Sequence, residues 1–286
     1  MSRQTHPITN VASVQLLSPF RYPGGKTWLV PFMCQWLTRI KPKPAEFIEP
    51  FAGGGIVGLH VAFRSLANHV ILTELDEDVA SVWHTMIYGD AERLAVRIAT
   101  FDLTPDAVAK ELSKIPHSVE ERAFQTLLRN RVACGGILAA GAGVLRHGEH
   151  GKGIKSRWYP ETLKKRVLEI AEIRECITFI RGDGLQVMKQ YAHREDVVFF
   201  IDPPYTAGGK QAGKRLYTHY EIDHEALFRL ISVLAGDFLM TSSNDKRVRQ
   251  LVQQYNLDMH EITMKNNHHA KMTELLIGRD LSWGKY

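Results

Sequence analysis

The chain has 286 residues, 44% apolar and 23% charged, the balance of a globular protein that buries a real core rather than of a disordered chain or a membrane protein. A formal net charge of +5, from 36 basic and 31 acidic residues, fits an anionic partner without demanding one. The three cysteines, Cys34, Cys134 and Cys176, form no C-x-x-C pair, which argues against a disulfide framework or a structural zinc site.

Met1 to Val11 is polar and lacks the apolar run of a signal sequence. A cytoplasmic protein is expected, monomeric and without a metal.

In chain order, the first motif is Tyr22-Pro23-Gly24-Gly25-Lys26. A glycine pair before Lys26 lets backbone and ammonium approach an anion such as a carboxylate; a surface turn reads as well. An apolar run from Glu46 to Glu49 then opens into Glu49-Pro50-Phe51-Ala52-Gly53-Gly54-Gly55 and a helical pattern from Ile56 to Leu66. Glycines between strand and helix allow a ligand close to the backbone, and Gly53, Gly55 and Gly58 satisfy G-x-G-x-x-G. The next run, Val70 to Leu72, ends at Glu74, where an acid can take the hydroxyls of a ribose. A nicotinamide cofactor and S-adenosylmethionine fit these features equally, and a tight turn beside a surface acid remains open.

From about Ala80 to Cys176 the alternation of short apolar runs and helices breaks. Helices are expected at Asp90–Ala99, Asp106–Ile115, Val119–Leu128 and Glu161–Ile173, around a middle rich in glycine and basic residues. Arg129, Arg131, Arg146, Lys152, Lys155 and Arg157 make that middle a candidate nucleic-acid surface, since Arg and Lys neutralise phosphates and Arg reads guanine. A solvated loop of mixed charge is the alternative.

The alternation resumes at Ile177 to Ile180, followed by Gly182-Asp183. Asp183 could accept from an adenine amine or cap the helix at Leu185. The run Val197 to Ile201 leads into Asp202-Pro203-Pro204-Tyr205. Two prolines at a strand end remove two donors and fix two φ angles. The carboxylate of Asp202 and the carbonyl of Pro203 can then converge on the two hydrogens of a planar amine, and Tyr205 offers a face for an extruded base. The alternative is a strand ended by a proline turn. A glycine-flanked basic loop, Lys210, Lys214 and Arg215, is a second candidate for DNA contact, or a plain flexible loop. A helix at His224–Leu234, then runs at Phe238 to Met240, leading into Thr241, Ser242, Ser243 and Asn244, and at Leu275 to Ile277, complete the pattern. His268 and His269 read as a surface turn.

Apolar runs buried on both faces, separated by helices, argue for an open α/β sheet with ligands beyond the carboxyl ends of its strands. Together the motifs resemble the Dam-like (alpha-class) adenine-specific DNA methyltransferases of bacteria and phages. The shared order is Y/W-x-G-G-K, E-P-F-x-G-x-G, an acidic strand end, an inserted recognition domain and D-P-P-Y, over about residues 18 to 280 with a loosely matching insert. The resemblance implies a Rossmann-like, mostly parallel methyltransferase sheet at 1–79 and 177–286, with helices on both faces. It implies a mainly helical target-recognition subdomain at 80–176. Tyr22, Lys26, Glu49, Phe51, Gly53, Gly55, Glu74, Asp183 and Asp202 would hold S-adenosylmethionine. Asp202, Pro203, Pro204 and Tyr205 would form the catalytic pocket for adenine N6 in double-stranded DNA, with base flipping. A restriction-modification role beside a cognate endonuclease, or a solitary or phage modification role, would follow.

Glu74 stands where aspartate is frequent in the family, which lengthens the reach. Other readings are methylation of RNA or of a protein glutamine amide, a nicotinamide-dependent oxidoreductase, and a DNA-binding regulator without catalysis.

Overall fold

A computed structural model describes residues 13–21, 24–139, 141–145, 148, 151–204, 222–265 and 271–284. Their strands are β1 (Glu46–Glu49), β2 (His69–Glu74), β3 (Ile177–Arg181), β4 (Val197–Ile201), β5 (Asp237–Ser243), β6 (Asp258–Lys265) and β7 (Lys271–Gly278). They form one sheet in the order β3-β2-β1-β4-β5-β7-β6. The first five pair in parallel, and β7 runs antiparallel to both β5 and β6. This is the expected open, mostly parallel α/β sheet. Chain order reverses between β1 and β4, which are paired in parallel with Ile48 opposite Phe199. Such a switch point leaves a crevice beyond the carboxyl ends of the two strands.

The helices are α1 (Val30–Arg39), α2 (Ile56–Phe63), α3 (Glu77–Ile87), α4 (Ala91–Thr100), α5 (Pro105–Leu112), α6 (Val119–Val132), α7 (Pro160–Glu172), α8 (Gly184–Tyr191), α9 (His224–Ser232) and α10 (Lys246–Gln254). The starts of seven of them are set by side-chain caps. Asp76, Asp90, Thr104, Ser118, Asp183, Asp223 and Asp245 each accept from a first-turn amide of α3, α4, α5, α6, α8, α9 and α10, satisfying donors that the helix itself leaves unpaired.

Strand alternation sorts the core into two layers. Val198 and Phe200 of β4 join Phe47, Leu72 and Leu239 under α1 to α4, α6 and α7. Val197, Phe199 and Ile201 point the other way, with Ile48 and Ile71, onto α8, α9 and α10. The expected insert is therefore not a detached body. Trp83, Phe124, Leu127, Val167 and Ile170 lie in the same apolar cluster as the sheet residues. The expected boundary at Ala80 falls inside α3, which begins at Glu77 and continues directly from the end of β2.

Candidate active site

The turn after β1 is built by positive φ angles and close contacts. Gly53 and Gly55 have φ +48° and +59°, the left-handed region that glycine enters without cost. A Cβ on Gly55 would stand 2.5 Å from the Trp83 ring, and one on Gly58 would stand 2.6 Å from Glu49 Oε2. That oxygen accepts from the Gly58 amide at 2.7 Å, so Glu49 holds the first turn of α2. Burial raises its carboxyl well above the ordinary range. Trp83 Nε1 donates to the Gly53 carbonyl at 2.9 Å, and Ala52 N donates to Thr73 O at 2.9 Å. The turn is fixed from both sides. Phe51 packs, half-buried, on the layer under α8 to α10.

Glu74, at the end of β2, spans from one amide to another. Its Oε2 accepts from Gly53 N at 2.9 Å and its Oε1 from Asp76 N at 2.8 Å. The extra methylene over aspartate gives that reach. Burial pushes its carboxyl up to about 7, against the pull of the two amides. Asp183, at the end of β3, is exposed and caps α8 through the Leu185 amide at 2.9 Å.

Across the switch point, Asp202 leaves β4 between two donors. Its Oδ1 accepts from Thr241 Oγ1 of β5 at 2.7 Å, and its Oδ2 lies 2.9 Å from Lys26 Nζ. Lys26 is only 3% exposed, and its ammonium also donates to the Gly24 carbonyl at 2.7 Å and faces Glu274 Oε2 at 3.8 Å. Glu274 of β7 is 7% exposed, and burial pushes its carboxyl up to about 7 despite the neighbouring ammonium. Pro203 is buried and Pro204 half-buried. The sequence motifs at Lys26, Glu49–Gly55, Glu74 and Asp202 thus meet at one edge of the sheet.

Residues 22–267 match the family described as D12 class N6 adenine-specific DNA methyltransferases. The chain belongs to this family. The Type II methyltransferase M.MjaIII of Methanocaldococcus jannaschii is 22% identical over 232 residues, 75% of this chain and 78% of that protein. The DNA N-6-adenine-methyltransferase of Escherichia phage P1 is 26% identical over 249 residues, 82% of this chain and 31% of that protein. A solved methyltransferase from Geobacter sulfurreducens shares 12% identity, with a TM-score of 0.39 over 91% of this chain and 80% of that one.

The glycine turn, which a nicotinamide enzyme could share, here belongs to an adenine-N6 DNA methyltransferase, and the family implies S-adenosylmethionine as methyl donor. Among the described residues of the methyltransferase, no cluster of His, Cys, Asp and Glu could hold a metal ion, and no helix is long and apolar enough to cross a membrane.

The basic residues of the methyltransferase divide. Lys152 and Lys155 are exposed, while Arg157 is half-buried. Arg129 is 37% exposed and lies 2.9 Å from Asp78 Oδ2. Arg131 corrects the expectation. It is 4% exposed, its guanidinium donates to the Pro19 carbonyl, and burial lowers its pKa to about 10. A guanidinium committed to a backbone carbonyl inside the protein does not meet phosphate. Tyr22, Arg146, Tyr205, Lys210, Lys214 and Arg215, with His268 and His269, lie outside the described residues.

Glu274 was not visible as a site residue in the sequence. It precedes the last apolar run instead of following it, but β7 is antiparallel to β5, so its early residues lie at the edge where parallel strands end. Ser243 of β5 is its register partner.

Proposed function

We propose that this chain is a site-specific DNA methyltransferase that moves the methyl group of S-adenosylmethionine to the exocyclic N6 of an adenine turned out of the duplex. The observation that carries this reading is Asp202, held between Lys26 and Thr241 at the switch point, with Pro203 next in the chain and the glycine turn across the crevice.

The residues fit the cofactor chemically. The turn at Gly53–Gly55 leaves no space for a Cβ at Gly55. An ammonium at Lys26 suits a carboxylate. Glu74 and Asp183, at neighbouring strand ends, suit ribose hydroxyls and an adenine amine. When bound, S-adenosylmethionine supplies an already activated methyl group, so no enzyme nucleophile is required.

The protein supplies position and polarity. A carboxylate has about four lone-pair sites, so Asp202 can keep Thr241 and Lys26 and still accept from the adenine amine. Pro203 offers its carbonyl to the second N–H. With both hydrogens held, the nitrogen lone pair would leave ring conjugation and become nucleophilic. Tyr205 would stack on the extruded base. The helical segment 80–176 serves as the target-recognition part, with Arg129, Lys152, Lys155 and Arg157 in the described portion of the DNA face. Arg146, Lys210, Lys214 and Arg215, basic in the sequence, would contribute further phosphate contacts. The protein acts as a cytoplasmic monomer in a bacterial or phage-infected host, in a restriction-modification pair or as a solitary modification enzyme.

The test is transfer of tritium from labelled S-adenosylmethionine into unmethylated duplex DNA, RNA or bulk protein. Label entering duplex DNA, and lost with Asp202→Ala, is the expected outcome. Label in RNA or protein alone, or robust transfer by Asp202→Ala, contradicts the reading.

A further inference from the structure

The chain at residues 18–21, a few residues ahead of Lys26, is clasped by the helical insert. Asn130, in the last turn of α6, is 0% exposed. Its Oδ1 accepts from the Arg21 amide at 2.9 Å, and its Nδ2 donates to the Arg21 carbonyl at 3.0 Å and to the Gly136 carbonyl at 2.7 Å. One side chain thus pairs with both backbone groups of Arg21, as a neighbouring strand would, and the three contacts use both of its N–H donors and one of its acceptor lone pairs.

Three further contacts hold the same segment. Gly136 has φ +74°, and a Cβ there would stand 2.2 Å from the Arg21 carbonyl oxygen. Arg131 donates to the Pro19 carbonyl, and Arg166 of α7 donates to the Ser18 carbonyl at 3.0 Å. Side chains of α6 and α7 therefore take up the carbonyls of Ser18, Pro19 and Arg21. Lys26 follows Arg21 by five residues in the sequence. The same end of α6 roots the basic loop. Leu145 N donates to Val132 O at 2.8 Å, and Cys134 N donates to Gly143 O at 2.8 Å.

We propose that Asn130 is a positioning residue through which the insert fixes Arg21, five residues ahead of Lys26, and so affects cofactor binding at that lysine. Its work is done on a backbone, far along the sequence from the residues it serves. A site that must hold its ligand within a fraction of an ångström needs its supporting shell fixed, and Asn130 fixes Arg21, ahead of the lysine whose ammonium faces Asp202. The inference rests on the reading that S-adenosylmethionine binds at this turn. It adds that the insert, assigned to DNA, also shapes the cofactor site, so that whatever reorders the end of α6 alters cofactor affinity.

The experiment is calorimetric binding of S-adenosylmethionine to the full chain without DNA, for wild type, Asn130→Ala, Asn130→Asp and Ile98→Ala. Ile98 is an equally buried residue of α4 and reports the effect of general core damage. Asn130→Asp keeps the shape and the acceptor for Arg21 N, but sets a carboxylate against the Arg21 and Gly136 carbonyls. Both Asn130 variants should weaken cofactor binding by about tenfold or more, the weight of roughly one hydrogen bond to the fixed segment. Ile98→Ala should stay within about twofold of wild type. In turnover, KM for the cofactor should rise by about the same factor with kcat nearly unchanged. Asn130 variants that melt cooperatively and bind as tightly as wild type overturn the proposal; if Asn130→Ala does not fold, Asn130→Asp decides. Failure of the wild type itself to bind would overturn the cofactor reading and this inference with it, whereas wild-type binding matched by the variants would overturn this inference alone.

Discussion

Glu274→Gln should make the cofactor-free protein more stable at alkaline pH. Glu274 is 7% exposed and its carboxyl is pushed up to about 7 by burial, with the Lys26 ammonium 3.8 Å away only partly offsetting it. In an unfolded chain a glutamate titrates near ~4.3–4.5. The folded state therefore binds the proton more tightly than the unfolded one, and stability falls as pH rises between those values. At one pKa unit per 1.36 kcal/mol, full ionisation costs the fold about 3 kcal/mol, and about 2 kcal/mol of that is lost between roughly pH 5.5 and 8.5. Glutamine has the same shape and no charge to desolvate. Urea unfolding of both proteins at those two pH values reads the difference directly. Glu49 and Glu74, also raised, are present in both proteins and largely cancel. The variant should lose about 2 kcal/mol less than wild type across the interval and be the more stable protein at the upper end. An equally steep fall in the variant, or a variant less stable than wild type at about pH 8.5, would refute the reasoning.

The remaining predictions concern the turn and the DNA face. Gly55→Ala places a side chain at φ +59° and 2.5 Å from the Trp83 ring; it should cost about 2–4 kcal/mol in thermal or urea unfolding and weaken cofactor binding, whereas an unshifted melt would contradict the packing. Lys155→Ala should lower the slope of log K against log salt for duplex binding by about one unit, as measured by anisotropy titration. Arg131→Met should leave that slope unchanged and lower the melting temperature, because its guanidinium serves the Pro19 carbonyl. A reduced slope for Arg131→Met would return it to the DNA face.

The sequence was most legible where burial is complete. The expected limits Glu46–Glu49 and Val197–Ile201 coincide with β1 and β4, because runs apolar on both faces have few alternatives in an α/β sheet. The meeting of the glycine turn, Glu74 and Asp202 at one edge was legible as well, since each follows a buried strand; Lys26, which precedes the helical turn Thr27–Leu29, joined them only through the family resemblance.

What escaped the sequence reading was set by tertiary partners. Helix α3, with the run Glu-Asp-Val-Ala-Ser-Val-Trp-His-Thr-Met-Ile, carries β-branched and polar residues of modest helix propensity and is held by burial of Val79, Val82, Trp83 and Met86. Edge strand β6 shows only weak alternation, and its pairing to β7 defines it. Arg131 resembled its exposed neighbours because a charge in a sequence says nothing of burial. Glu274 needed the reversed direction of β7.

The most direct test of the central claim is nucleoside mass spectrometry of unmethylated duplex DNA treated with S-adenosylmethionine and either wild type or Asp202→Asn. Asparagine in place of Asp202 preserves size but removes the charge that Lys26 and Thr241 hold in place. The account predicts N6-methyladenine with the wild type and a loss of at least ~100-fold with the variant. Methylcytosine in place of methyladenine, or undiminished N6-methyladenine from Asp202→Asn, would contradict it.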